Sequence, residues 1–277
     1  MTPDEYCQQK AAASGSSFYY SFLFLPPERR RAITALYAFC REVDDVVDET
    51  SDAQLAATKL AWWRVEVGNL FAGNAQHPVT KALSPHLKPF DLTQEKLNDI
   101  IDGMEMDLTQ SRYLDWPNLE RYCYRVASVV GLLAASIFGY RDARTLEYAR
   151  NLGLAFQLTN IIRDVGEDAR KNRIYLPMAD MKEFGVPATD ILQSKETPEF
   201  QRLMRFEAAR AREHYEKAMQ ALPAADRKPQ RPGLIMAAIY RTLLDEIERD
   251  GFRVLTRRTS LTPLRKFWIA WKTWITG

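Results

Sequence analysis

A chain of 277 residues with 46% hydrophobic and 27% charged residues can fill one large core, and its net charge of +2 argues for no particular partner. Three cysteines without CxxC spacing suggest neither a disulfide framework nor a zinc site, and three scattered histidines leave little material for a His-based metal site or a Ser-His relay. The opening MTPDEYCQQK is polar and acidic, unlike a signal peptide, and no uninterrupted apolar run of about 18 residues predicts a transmembrane helix. A reducing, cytoplasmic compartment is the expectation.

Apolar residues recur at spacings of three and four almost throughout, which predicts an all-α chain. In chain order the expected helices cover about 3–14, 28–49, 53–72, 78–87, 93–110, 117–139, 142–168, 198–221, 232–255 and 263–275. Breaks fall at Gly73-Asn74, Pro89, Pro117, Gly139, Pro177, Pro187, Pro223 and Pro229–Pro232. No linker or low-complexity block divides the chain, so residues 1–277 read as a single domain. Neither a GxGxxG nor a GxxxxGK[ST] loop is present, which argues against dinucleotide and P-loop folds.

Within 28–49, Tyr37, Arg41, Asp44 and Asp48 sit at about 0°, 40°, 340° and 20° around the helix, a narrow stripe beside the apolar face of Ile33, Leu36, Cys40, Val43 and Val47. Asp45 and Glu49 are rotated away from it. Two carboxylates one turn apart repel by roughly 0.2–0.5 kcal/mol, and a cation between them reverses that sign. Mg²⁺ prefers one or two carboxylates together with waters and phosphate oxygens, and Arg41 can fork onto a phosphate. Gln157, Asn160, Asp164 and Asp168 form a second stripe on an otherwise apolar helix, with Arg163 nearby. Gly166 costs about 1 kcal/mol in a helix interior, so this helix is expected to end or loosen just past the acids. Taken singly, each acidic pair reads most simply as a solvated helix face. Two matched stripes, each carrying an arginine or amide at turn spacing, raise the prospect of a two-sided metal–diphosphate site.

These residues resemble the squalene/phytoene synthases, the head-to-head trans-isoprenyl diphosphate synthases. The matching stretches are SGSSFYYSFLFLP (14–26), ALYAFCREVDDVVDE (35–49), YCYRVASVVG (122–131), FQLTNIIRDVGEDARKNRIYLP (156–177) and IYRTLLDEIERDGF (239–252), in the family's order. The opening and the C-terminal TSLTPLRKFWIAW look most like bacterial hopanoid-pathway presqualene diphosphate synthases. The resemblance implies a single-domain helical bundle with a central cavity, and condensation of two farnesyl diphosphates to presqualene diphosphate with release of diphosphate. Phytoene, dehydrosqualene and squalene synthases share the machinery, and a non-catalytic helical scaffold is the reading from another class. Mg²⁺, with Mn²⁺ as a substitute, is the implied cofactor; NADPH is not expected, since no nucleotide motif is visible.

The resemblance also assigns residues. Asp44, Asp48, Asn160, Asp164 and Asp168 would bind metal across the cavity mouth, the four aspartates counting as catalytic. Arg41, Arg163, Tyr240 and Arg257 match diphosphate contacts, with Ser17 and Gln157 also on the substrate side. Tyr122 matches a tyrosine acting as acid/base or cation stabiliser; the base is either Tyr122 or the released diphosphate. Phe18, Phe22, Tyr37, Val126 and Val130 would line the prenyl tunnel. Gly15-Ser16 departs from relatives carrying Ser-Lys there.

The C-terminus adds Arg253, Arg257, Arg258, Arg265, Lys266 and Lys272 with no acid, interleaved with Phe267, Trp268, Trp271, Trp274 and Ile275. Two readings stand: an amphipathic helix that docks on a membrane surface, or tryptophans that cap the protein's own core. Nucleic-acid binding is a poorer reading, because the basic residues are few and localised. Oligomeric state is not legible.

Overall fold

Helix starts follow the local chemistry. Pro27, Pro78 and Pro198 occupy first helical positions, where a missing N–H costs nothing, while Asp52, Thr93, Asp115 and Thr197 accept hydrogen bonds from first-turn amides. The computed structural model describes every residue except 14–20, 23, 24, 51 and 277. Its helices are α1 (Pro3–Ala13), α2 (Pro27–Glu49), α3 (Ala53–Phe71), α4 (Pro78–Leu83), α5 (Gln94–Thr109), α6 (Trp116–Cys123), α7 (Val129–Phe138), α8 (Arg144–Arg170), α9 (Met178–Glu183), α10 (Ala188–Leu192), α11 (Pro198–Ala221), α12 (Arg231–Arg249) and α13 (Pro263–Thr276). Among the described residues there is no β-strand, only an isolated bridge between Arg112 and Ile174. The expected all-α class is what the structure has.

The apolar side chains form two clusters. One, mainly from α1–α5 and α7, surrounds Leu36, Phe39 and Trp63; the other, mainly from α6 and α8–α13, surrounds Tyr148, Leu158 and Tyr215. Val126 packs against both. A cavity of about 520 Å³ lies between them, so each cluster contributes one wall.

That wall is close-packed at glycines. A Cβ on Gly153 would stand 2.6 Å from the Ser128 Cα, and one on Gly131 would stand 2.7 Å from the Ala149 carbonyl oxygen. The α6–α7 connection, Tyr124–Ser128, is a π-helical turn, a form frequent at functional sites. It presents Val126 and Ala127 to the cavity. Although it has no uninterrupted apolar run, the helix Trp116–Phe138 is long and apolar enough to cross a membrane by length and composition, as core helices also can be. Here it supplies the cavity wall.

One expectation about helix extent needs correction. The predicted helix 232–255 stops at Arg249, because Gly251 and Phe252 turn with φ of 72° and 56°. The helix carrying the second acidic stripe ends just past the acids, at Arg170, as expected, but Gly166 lies inside α8 and does not interrupt it. Glycine is needed there because the Val254 and Leu255 carbonyls crowd the position a Cβ would take, and the Gly166 N–H donates to Val254 O at 3.2 Å. The short α9 and α10 are too brief for periodicity to reveal.

Candidate active site

The first stripe behaves as the helical wheel predicts. Tyr37, Arg41, Asp44 and Asp48 of α2 all line the cavity, as do Gln157, Asn160, Arg163, Asp164 and Asp168 of α8. Asp45 lies off the cavity and is held instead by Lys10 and Arg41. The two stripes belong to one site: Lys171, just beyond α8, reaches Asp48 at 3.4 Å, and Arg173 stands 3.9 Å from the same carboxylate. Phe22, Val126, Val130, Tyr122 and Tyr240 complete the predicted lining. Ser17 and Phe18, with the divergent Gly15-Ser16, lie outside the described residues.

Arg257 is not brought to the cavity. Its side chain is 64% exposed and its nearest acid is Asp250 at 3.9 Å. Its neighbour Arg258 lines the cavity and donates from Nε to Asp164 at 2.9 Å. The segment between α12 and α13 is irregular, so no periodicity could have chosen between the two arginines.

Electrostatics separate the acids. Burial, opposed by Arg41 and reinforced by Asp48, raises Asp44 to about 6. Burial, then the charges of Asp164 and Asp107, raises Asp168 to about 7. Asp164 goes the other way: burial would raise it, but the bonds and charges of Arg163 and Arg258 outweigh that and hold it below the ordinary carboxylate value. Arg163 donates from Nε at 2.7 Å and also pairs through Nη2, so Asp164 sits in a guanidinium fork. The Tyr240 hydroxyl accompanies Arg163.

Sequence reasoning missed Asp107 of α5. It lines the cavity, and its two carboxylate oxygens each accept a phenol hydrogen bond at 2.8 Å, one from Tyr122 and one from Tyr175. Burial raises Asp107 to about 6, against the pull of the two phenols and Arg173. Burial, then Asp107, pushes the Tyr122 phenol well above 10. The Tyr113, Tyr122 and Tyr175 rings pack together with centroids 5.3–5.7 Å apart.

The donor set fits a divalent cation. The Asn160 Oδ1 is buried and has no hydrogen-bond partner, which is costly unless something else satisfies it. It lies among Asp44, Asp48, Asp164 and Asp168, which are hard oxygen ligands of the kind Mg²⁺ takes. Among the described residues, no three acidic, histidine or cysteine side chains converge to form a closed metal cage. An ion here would have to share its shell with water or phosphate oxygens.

Below this charged mouth the lining turns apolar, through Ile33, Leu36, Met104, Ala134, Phe138 and Leu152. The site can therefore hold a molecule with an anionic head and a hydrocarbon tail.

Comparison with known proteins agrees. The squalene/phytoene synthase family model matches residues 11–265. A 15-cis-phytoene synthase of Synechocystis sp. is 36% identical over 282 residues, covering 96% of this chain and 84% of the relative. The crystal structure of a dehydrosqualene synthase superimposes with a TM-score of 0.89 at 29% identity, covering 98% of this chain and 95% of the other. That of squalene synthase HpnC from Alicyclobacillus acidocaldarius gives 0.81 at 28% identity, covering 90% of this chain and 94% of the other.

Proposed function

The chain belongs to the squalene/phytoene synthase family, whose members are prenyltransferases, and on that premise we propose that it couples two farnesyl diphosphates to presqualene diphosphate with release of diphosphate. The observation that carries this reading is the pairing of two carboxylate stripes, each accompanied by arginine, above one apolar cavity. A catalytically idle scaffold has no use for Asp44, Asp48, Asp164 and Asp168 gathered around one cavity.

The chemistry needs what these residues supply. The C–O bond of one allylic diphosphate breaks with its electron pair leaving on oxygen. The double bond of the second substrate attacks the allylic carbon, and loss of a proton closes a cyclopropane. Asp44, Asp48, Asn160, Asp164 and Asp168 would hold Mg²⁺, which when bound supplies Lewis-acid neutralisation of the diphosphate charge. Arg41, Arg258, Lys171 and Arg173 line the same mouth and draw negative charge onto the leaving group. Phe22, Tyr37 and Phe156 offer ring faces to the allylic cation, worth about 0.5–2 kcal/mol each when dry, and keep water away from it. Burial keeps Tyr122 protonated and its O–H is donated to Asp107, so it serves as a neutral dipole near the cation; the departing proton goes to the released diphosphate. The three free cysteines, Cys7, Cys40 and Cys123, suit a reducing cytoplasmic setting.

A second reading is favoured by the name of the similar Synechocystis enzyme: coupling of two C₂₀ diphosphates to phytoene. Purified protein given Mg²⁺ with C₁₅ or C₂₀ diphosphate, with and without NADPH, decides by mass spectrometry. A C₃₀ cyclopropyl diphosphate formed regardless of NADPH is the expected product. A C₄₀ hydrocarbon from the C₂₀ substrate would transfer the assignment to phytoene, and no release of diphosphate from either would overturn both readings.

A further inference from the structure

The helix α13 presents its apolar residues to the wrong side for a helix that only caps a core. Leu264, Trp268, Trp271 and Ile275 are spaced four, three and four, which places them within about 60° of one another. They are 84%, 60%, 43% and 57% exposed, and Phe267 beside them is 50% exposed. The helix is anchored by its other face: Ala270 is buried, Ile269 and Trp274 pack on the main core, and Arg231 stacks over Trp274 at 5.1 Å. The two exposed tryptophan rings lie 5.1 Å apart. The core-capping reading therefore holds for Trp274, while Trp268 and Trp271 lie outside the core. Isolated exposed apolar residues are ordinary, but a contiguous stripe of five marks a contact surface.

Two observations identify what it contacts. After Asp250 the chain carries Arg253, Arg257, Arg258, Arg265, Lys266 and Lys272 and no acidic residue, and Arg257, Arg258, Arg265 and Lys272 are exposed. Arg258 is paired with Asp164 and Arg265 with Glu246, yet the excess of positive charge along this segment complements an anionic surface. Tryptophan beside basic residues on one helix is also the composition that settles at the headgroup level of a bilayer. We propose that α13 docks the protein on a bilayer surface containing anionic lipid, with Leu264, Phe267, Trp268, Trp271 and Ile275 entering the acyl boundary.

The place of this face in the molecule matters. Arg258, on the segment leading into α13, lines the cavity mouth, and Lys266 in the first turn is near enough to Arg163 and Arg258 to feel their charge. Docking through α13 sets the cavity entrance beside the membrane, where prenyl chains partition. Lipid docking stands on the exposed stripe and the basic residues beside it; only this route for substrate and product rests on the reaction proposed above.

The test uses the full-length chain, since deleting α13 would uncover the core under Ala270. Sedimentation is measured with vesicles of phosphatidylcholine alone and of phosphatidylcholine mixed with phosphatidylglycerol. The parent protein is expected to pellet with the anionic vesicles and less at high salt. The triple variant L264S/W268S/W271S should lose roughly tenfold or more of that binding, by removal of its apolar anchors. Its circular dichroism and its turnover of detergent-dispersed substrate should be unchanged. A parent protein that stays in the supernatant, or a triple variant that pellets equally well, would overturn the proposal. A concentration-dependent dimer lost in the triple variant, without vesicle binding, would assign the face to a second copy and overturn it as well. Failed vesicle binding with normal product formation would leave the reaction assignment untouched.

Discussion

Asp44 and Asp45 are neighbours of identical chemistry with different surroundings, which makes them the sharpest residue-scale comparison. Asp44 lines the cavity, whereas Asp45 is tied to Lys10 and Arg41. Asp44→Asn is expected to lower kcat about 100-fold or more by removing charge where the diphosphate departs. Asp45→Asn should cost about tenfold or less, chiefly in KM, because it loosens Arg41 rather than removing a cavity carboxylate. Steady-state kinetics on the two variants, with circular dichroism to confirm folding, checks this; equal losses in kcat would dissolve the distinction. Asp107 gives a second prediction. Asp107→Asn keeps an acceptor for one phenol but loses the charge shared by Tyr122 and Tyr175, so a kcat loss of about 10–100-fold is expected with KM little changed. Helical periodicity made Asp44, Asp48, Asp164 and Asp168 legible, because their spacing alone assigns them to a face. Asp107 was not legible. It is one acid on an ordinary amphipathic helix, and its partners are 15 and 68 residues away in sequence.

At the scale of elements, the glycines of helices distinguish packing from propensity. Gly68 in α3 has nothing near a prospective Cβ, while Gly166 in α8 is pressed by the Val254 and Leu255 carbonyls. A sequence assigns both the same cost of about 1 kcal/mol, since the segment that approaches Gly166 comes from nearly 90 residues downstream. Gly68→Ala is therefore expected to stabilise by about 0.5–1 kcal/mol. Gly166→Ala should destabilise by about 1–3 kcal/mol through overpacking against backbone that cannot rotate away. It should also lower activity, because the displaced strand of chain carries Arg258, which pairs with Asp164. Thermal unfolding of both variants gives the signs; a destabilised Gly68→Ala or an unaffected Gly166→Ala would refute the packing account. Helix existence was readable from apolar spacing in every long case. The end at Arg249 was not, because a turn at Gly251 sets it.

Across the whole molecule, two buried titratable groups on α11 make stability depend on pH in opposite directions. His214 is 8% exposed, and burial, aided by Lys217, lowers its pKa from 6.5 to about 4. Between those values the unfolded chain takes up a proton that the folded one refuses. Its contribution is therefore complete above 6.5 and is lost as pH falls through about 4, a swing of about 3 kcal/mol. Glu207 is 1% exposed, and burial, only partly offset by Arg210, raises its pKa from 4.5 to about 7. Here the folded state keeps its proton longer. The contribution is complete below 4.5 and is lost as pH rises through about 7, again by about 3 kcal/mol. The two slopes oppose each other in the window they share. His214→Gln is expected to gain on the parent protein as pH falls from 6.5 to 4. Glu207→Gln should gain on it as pH rises from 4.5 to 7. Each kcal/mol corresponds to about 2–4 °C in Tm for a domain of this size, so melting curves taken across that range resolve both. The residues lie about 10 Å apart along the helix axis but share the charge of Arg210, so the double variant is expected to depart from the sum of the two effects. Parallel pH profiles for parent and single variants would mean that neither group changes its protonation on folding.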